Sequence, residues 1–277
     1  MDDVEHVDFD ALLAGPELAS AAWSIEVRFD DAGPPAVPHR PTFLLRTASV
    51  AKVFLLVEVA RRLDDRSLDA DQPVDRRRAV PVADSGLWQH LRSDVLPLGD
   101  VARLVGTFSD NLATNALIEV VGLDAVHAIA PTLVEHGSML YDVVRDERLP
   151  EHPPMLSEGC AADWAGLFRR LHRGDVVNER VSATVLGWMA TSVDLSMVAS
   201  SFDLDPLAHL DADQGYTVVN KTGTNSTVRA DVGVVTGPAG TCAYAAICNF
   251  ADHRPAVRHA VLGAMRSIGS AIRAGLA

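Results

Sequence analysis

Ser49-Val50-Ala51-Lys52 opens a run that continues as Val53-Phe54-Leu55-Leu56-Val57-Glu58-Val59, and the reading of the whole chain turns on this stretch. A serine and a lysine at i and i+3 of a helix share a face, so the amine comes within hydrogen-bond reach of the hydroxyl and can take its proton. The residues that follow are apolar on most faces, which predicts a buried helix from Ser49 to about Leu63. Burial suits Lys52, because a lysine withdrawn from water has its pKa lowered and the neutral amine is the form that acts as a base. Alone the pattern is short, and a surface lysine after a capping serine has the same spelling.

Two later motifs add to it. Ser109-Asp110-Asn111 sits between Val101 to Phe108 and Leu112 to Ile118, which are apolar at helical spacing, and a plain core helix has no use for three small polar residues in its middle. Lys221-Thr222-Gly223 follows the strand-like run Tyr216-Thr217-Val218-Val219-Asn220, and a second such run begins after Arg229. Strand alternation before it and a glycine just behind the Lys-Thr pair predict an inner edge strand that a ligand's backbone approaches closely.

In this order and context the three motifs resemble the signature set of the serine β-lactamase and penicillin-binding-protein superfamily, S-x-x-K, S-D-N and K-T-G. Phe43-Leu44-Leu45-Arg46-Thr47-Ala48 ahead of Ser49, and Ser109 to Asn115 running on to Val120-Val121-Gly122-Leu123-Asp124, look like the class A subgroup. Lys221-Thr222-Gly223 with Val228-Arg229-Ala230-Asp231-Val232-Gly233 behind it looks like the class A-related serine hydrolases, and the likeness spans residues 9 to 270. It implies an α+β fold in which N- and C-terminal segments form one antiparallel sheet covered by helices, beside a mainly helical central region. Residues 1–277 then form one catalytic domain, with an α/β lobe from 9–46 and 216–277 and a helical lobe from 49–200. Pattern alone gives mixed α and β in one or two lobes: a helix near Phe9 to Leu18, a strand from Ala21 to Phe29, a turn through Gly33-Pro34-Pro35 and an extended piece ending at Arg46. Mainly helical segments follow from Leu87 to Arg173, strands from Tyr216 to Phe250, and a last helix from Arg254 to Ile272.

The resemblance also implies roles. Ser49 attacks the carbonyl of a β-lactam, amide or ester and becomes acylated, with Lys52 as nearest base or proton relay. Ser109 passes a proton to the leaving nitrogen, and Lys221 beside it supplies positive potential. The N–H groups of Ser49 and of Thr224, the residue after Gly223, form the oxyanion hole. Asn111 binds the acyl-amide side chain, and Thr222 and Arg229 grip a carboxylate, a group that an arginine fork fits. Arg229 as a salt-bridge partner of Asp231 or Asp110 is the plainer alternative. One part of the class A pattern is missing, the glutamate with an asparagine four residues on that holds the deacylating water. Glu147 lies near the right place, but Glu151 stands four residues later, so a surface carboxylate competes with a deacylation base. The expected function is a class A-type β-lactamase. The alternatives are a penicillin-binding D-alanyl peptidase or esterase, and a sensor-like protein that is acylated once.

Composition sets limits. No apolar run approaches the ~20 residues of a membrane span, and 37 acidic against 24 basic residues argue against a general nucleic-acid binder. The start, Met1-Asp2-Asp3-Val4-Glu5-His6, lacks the basic and apolar stretches of a secretory signal. Cys160, Cys242 and Cys248 make no disulfide framework, since Cys242 and Cys248 share one face of a strand too far apart to bond. The chain therefore reads as cytoplasmic, although an exported chain whose signal had been removed would read the same way. The ten histidines never fall in H-E-x-x-H, and Asp203, Asp205, Asp211 and Asp213 lack calcium-loop spacing, so no metal or other cofactor is expected. Arg76-Arg77-Arg78 reads as a solvated edge and His90 as a helix-packing residue near the cleft. The expected partner is a small β-lactam, peptide or ester substrate, bound by a monomer, with no nucleic acid and no membrane.

Overall fold

The structure, a computed structural model, describes residues 9–30, 37–212 and 215–277. The acidic start, the turn through Gly33-Pro34-Pro35 and Asp213 lie outside the described residues. The chain runs through α1 (Phe9–Leu13), β1 (Ala22–Phe29), β2 (Val37–His39), β3 (Leu45–Arg46), a 3-10 turn at Ala48–Ala51 and α2 (Lys52–Asp64). The middle carries β4 (Pro73–Asp75), β5 (Val95–Pro97), α3 (Leu98–Phe108), α4 (Asn111–Val121), α5 (Leu123–Leu133), β6 (Met139–Leu140), β7 (Ser157–Gly159), α6 (Ala161–Arg173) and α7 (Glu179–Met189). The end adds β8 (Thr217–Thr224), β9 (Val228–Gly237), β10 (Gly240–Asn249) and α8 (Pro255–Gly275).

Strands β2, β1, β10, β9 and β8 lie in that order in one antiparallel sheet. The chain's two ends meet there: β1 pairs with β10 from Ala22 opposite Asn249 to Phe29 opposite Cys242. The α+β class expected from the sequence is the class observed. Successive side chains alternate between the sheet's faces. Ile25 and Val27 of β1 pack with Cys242, Tyr244, Ala246 and Cys248 of β10 under α8. Ala243, Ala245 and Ile247 turn the other way, joining Val228, Ala230 and Val232 of β9 against the helical layer. In that layer α2 is buried at every residue from Lys52 to Ala60, enclosed by α3, α4, α5 and α7. A helix apolar all round is a core helix, and this one carries the lysine inward with it.

Three expectations change in detail. The first helix stops at Leu13, just before Gly15-Pro16, which cannot continue it. The extended piece before Arg46 is two short strands, broken where Arg40 takes φ +47° and Phe43 N–H bonds back to its carbonyl. Gly223 does serve a close approach on edge strand β8, but the approaching group belongs to the chain itself. A Cβ there would stand 2.0 Å from the Thr47 carbonyl oxygen and 3.1 Å from Val50. Gly223→Ala must therefore push β8 off the 3-10 turn that carries Ser49. It is expected to cost about 2–3 kcal/mol, read as a lower thermal unfolding midpoint, with loss of activity.

Candidate active site

Ser49 lies in the 3-10 turn, one turn ahead of the fully buried Lys52 that begins α2. Ala48 before it has a left-handed φ of +48°. Ser157 of β7 holds that backbone: its hydroxyl donates to the Ala48 carbonyl at 2.6 Å and lies 2.8 Å from the Thr47 hydroxyl. Ser49 itself stays partly exposed.

Ser109-Asp110-Asn111 sits at the junction of α3 and α4, so its apolar flanks belong to two helices rather than one. Ser109 ends α3 with φ +56°, and this left-handed residue turns its carbonyl onto Lys52. Lys52 Nζ donates to Ser109 O at 2.6 Å and to Asn111 Oδ1 at 2.8 Å, with Ser109 Oγ at 3.5 Å. The side chain of Asp110 is structural. It caps α4 through Ala113 N–H at 2.8 Å and accepts the N–H groups of Leu87 and Trp88, each at 2.7 Å. Gly86, at φ +136°, makes room for this carboxylate, since a Cβ there would meet Asp110 Cγ at 2.5 Å.

Strand β8 brings the third motif. Lys221 Nζ donates to Ser109 Oγ at 2.8 Å and to the Thr222 carbonyl at 2.9 Å. Burial, and next the neighbouring Lys221, hold Lys52 well below the usual lysine range, against the opposing pull of Asp110 and Asp84. Burial likewise lowers Lys221 to about 7, against the attraction of Asp194 and Asp231. Asp231, opposite Thr222 in the sheet, is raised to about 7 by burial although Asn220 and Tyr244 donate to its Oδ1 at 3.0 and 3.1 Å. Ser49, Ser109, Asn111, Lys221, Thr222 and Thr224 all border one open cavity of about 200 Å³. A serine facing a cavity with two buried lysines meeting on a second serine is an arrangement suited to acyl transfer.

A model of the β-lactamase enzyme family matches residues 24–276. The chain belongs to the β-lactamase enzyme family. Among curated proteins none matches it. Among solved structures it resembles a β-lactamase from Sphaerobacter thermophilus DSM 20745, at 25% identity and TM-score 0.79 over 95% of this chain and 94% of that one. It resembles a β-lactamase from Xanthomonas campestris pv. campestris at 18% identity and TM-score 0.80, covering 99% and 100%. PBP-A matches at 18% identity and TM-score 0.76 over 95% and 92%, and a mutant of that protein is known as an acyl-enzyme with penicillin G. The fold of this family member is thus the β-lactamase/transpeptidase fold.

Not every residue named from the sequence reaches the cavity. Glu147 is exposed and is not among the residues that border it; the buried carboxylate of its loop is Asp142, clamped by Arg145 at 2.8 Å and Arg148 at 2.6 Å. Arg229 donates to the carbonyls of Asn225 and Val228 at 2.5 and 2.7 Å, lies 6.0 Å from the Phe250 ring and forms no ion pair with Asp231 or Asp110 among the described residues. His90 is exposed in a 3-10 turn. Arg76 departs from a solvated edge: it bonds Asp94 at 2.9 Å and the Trp88 carbonyl, bracing the segment that Asp110 holds. Two carboxylates on the cavity wall, Asp84 and Asp194, escaped the sequence reading. Neither lies in a motif, and only the fold brings them to Lys52 and Lys221. Among the described residues no group of three His, Cys, Asp or Glu could hold a metal.

Asp110→Ala leaves three N–H groups, two of them buried, without their acceptor. We expect about 3 kcal/mol or more of lost stability, measured by urea unfolding, with the Leu87-Trp88 backbone freed to exchange its amide hydrogens.

Proposed function

We infer that the chain is a serine hydrolase acylated at Ser49 by β-lactams and related amides or esters, with deacylation slower than acylation. One observation carries this reading: the Ser109 hydroxyl stands between Lys52 and Lys221 on the cavity that Ser49 faces. A neutral lysine has two N–H bonds and a lone pair. Ser109 O and Asn111 Oδ1 take both N–H bonds of Lys52, so the lone pair remains for a hydroxyl proton. Ser49 Oγ then attacks the carbonyl carbon as Lys52 removes its proton, and charge gathers on the carbonyl oxygen within reach of the Ser49 and Thr224 backbone N–H groups. As the C–N bond breaks, the proton passes through Ser109 to the leaving nitrogen and the acyl group stays on Ser49. Lys221 orients Ser109 for that transfer by donating to its oxygen.

Release of the acyl group needs an activated water. The exposed position of Glu147, away from the cavity, favours a long-lived acyl-enzyme over fast turnover. The penicillin-binding alternative shares this feature, and the kinetics separate the two readings. Stopped-flow nitrocefin hydrolysis beside intact-protein mass spectrometry is expected to give a burst near one equivalent, a slow steady rate and an adduct that Ser49→Ala abolishes. Rapid turnover with no burst would place the chain with the fast β-lactamases, and no adduct from any β-lactam would overturn the reading. Lys52→Met is expected to slow acylation about 10²–10⁴-fold.

The pH profile gives a further check. Lys221 loses its charge as pH rises through about 7, so acylation should decline on the alkaline side of neutrality. The titratable groups facing it are Lys52, Asp194 and Asp231. Lys221→Arg, charged throughout, is expected to move that decline to higher pH.

A further inference from the structure

Among the described residues, the charged groups bordering the cavity are one ammonium, Lys221, and two carboxylates, Asp84 and Asp194. Asp194 is fixed in place by backbone contacts from both sides. Val193 N–H donates to the Thr107 carbonyl at 3.1 Å, and Asn220 of β8 donates to the Asp194 carbonyl at 3.2 Å. Its side chain accepts from Ser196 N–H at 3.2 Å and from the Ser196 hydroxyl at 2.6 Å, both on Oδ1. Asp194 thus borders the same cavity as Lys221, Thr222 and Thr224, where the sequence reading placed the grip on a substrate carboxylate, and its charge acts on Lys221. Arg229, the cation expected to complete that grip, spends Nη1 on the carbonyls of its own hairpin. Across the cavity Asp84 stands at φ +67° in the loop that Asp110 and Gly86 hold against the Ser109 turn.

We propose that Asp194 makes this site select acyl donors whose leaving side ends in a hydrogen-bond donor, an amide NH₂ or an ammonium, over those ending in a carboxylate. The proposal rests on the acyl-enzyme reading above and narrows its substrate class. A carboxylate entering there meets Lys221, whose N–H bonds already serve Ser109 Oγ and the Thr222 carbonyl, and also the like charge of Asp194, which offsets the lysine's attraction. An amide or ammonium instead gives Asp194 a donor.

Three matched β-lactams test this: benzylpenicillin, its carboxamide and its 2-aminoethyl amide, which differ only in the group beyond the ring. The rate of adduct formation on Ser49 is measured for wild type, Asp194→Asn and Asp84→Asn, and binding of the same three to Ser49→Ala by calorimetry. The expected result is about tenfold or greater preference for the two non-anionic compounds, reduced by a similar factor in Asp194→Asn, which keeps the acceptor that Ser196 uses. A smaller reduction is expected in Asp84→Asn. Preference for the carboxylate, or a preference that Asp194→Asn leaves unchanged, overturns the proposal, as does the absence of binding to Ser49→Ala by all three. Retained ranking in the calorimetry without adducts on wild type overturns the acyl-enzyme reading alone.

Discussion

Two buried lysines converge on one hydroxyl, and much of this molecule can be understood as what that requires. Two full positive charges on either side of Ser109, with almost no water to screen them, repel each other strongly. The arrangement persists because burial favours the neutral amine on Lys52, so one lysine gives up its charge while the other keeps a share of its own. A hydroxyl between a neutral amine and a cationic one is poised to move protons in either direction.

The fold reaches this geometry by crossing elements from distant parts of the chain. The apolar helix α2 carries Lys52 inward, the left-handed break between α3 and α4 presents Ser109, and β8 brings Lys221 because Gly223 lets it lie on the Thr47 carbonyl. Each placement is backed by buried polar contacts. Glu58, near the middle of α2, binds Arg61 at 2.9 Å and Arg62 at 2.6 Å, and Arg62 in turn donates to the Val121 carbonyl at 3.0 Å, tying α2 to the end of α4. An unpaired carboxylate at that depth would be costly, whereas paired with two guanidinium groups it becomes a brace.

The strands were legible in the sequence because alternation leaves a mark, as in Tyr216 to Asn220, and α2 was legible because it is apolar on most faces. The three motifs were legible because each keeps its chemistry within a few residues. What escaped was of two kinds. The cap made by Asp110 was not legible, since spacing does not say which N–H groups a carboxylate accepts. Asp84 and Asp194 belong to no local pattern: the lysines on which their charges act, Lys52 for Asp84 and Lys221 for Asp194, stand 32 and 27 positions away in the chain. Arg229 shows the opposite case, a residue placed by local pattern beside the right strand whose guanidinium is drawn to the nearest backbone carbonyls.

The three cysteines have a practical meaning. All are buried; Cys242 and Cys248 lie in the core under α8, and Cys160 precedes α6 on the other side of the sheet. Burial raises the Cys160 thiol to about 11 and the other two higher still, so almost no thiolate forms near neutral pH. Alkylating reagents therefore find them only when the surrounding structure opens. The native chain carries built-in reporters of its own breathing, one for the helical side of the molecule and two for the far face of the sheet, with no label added.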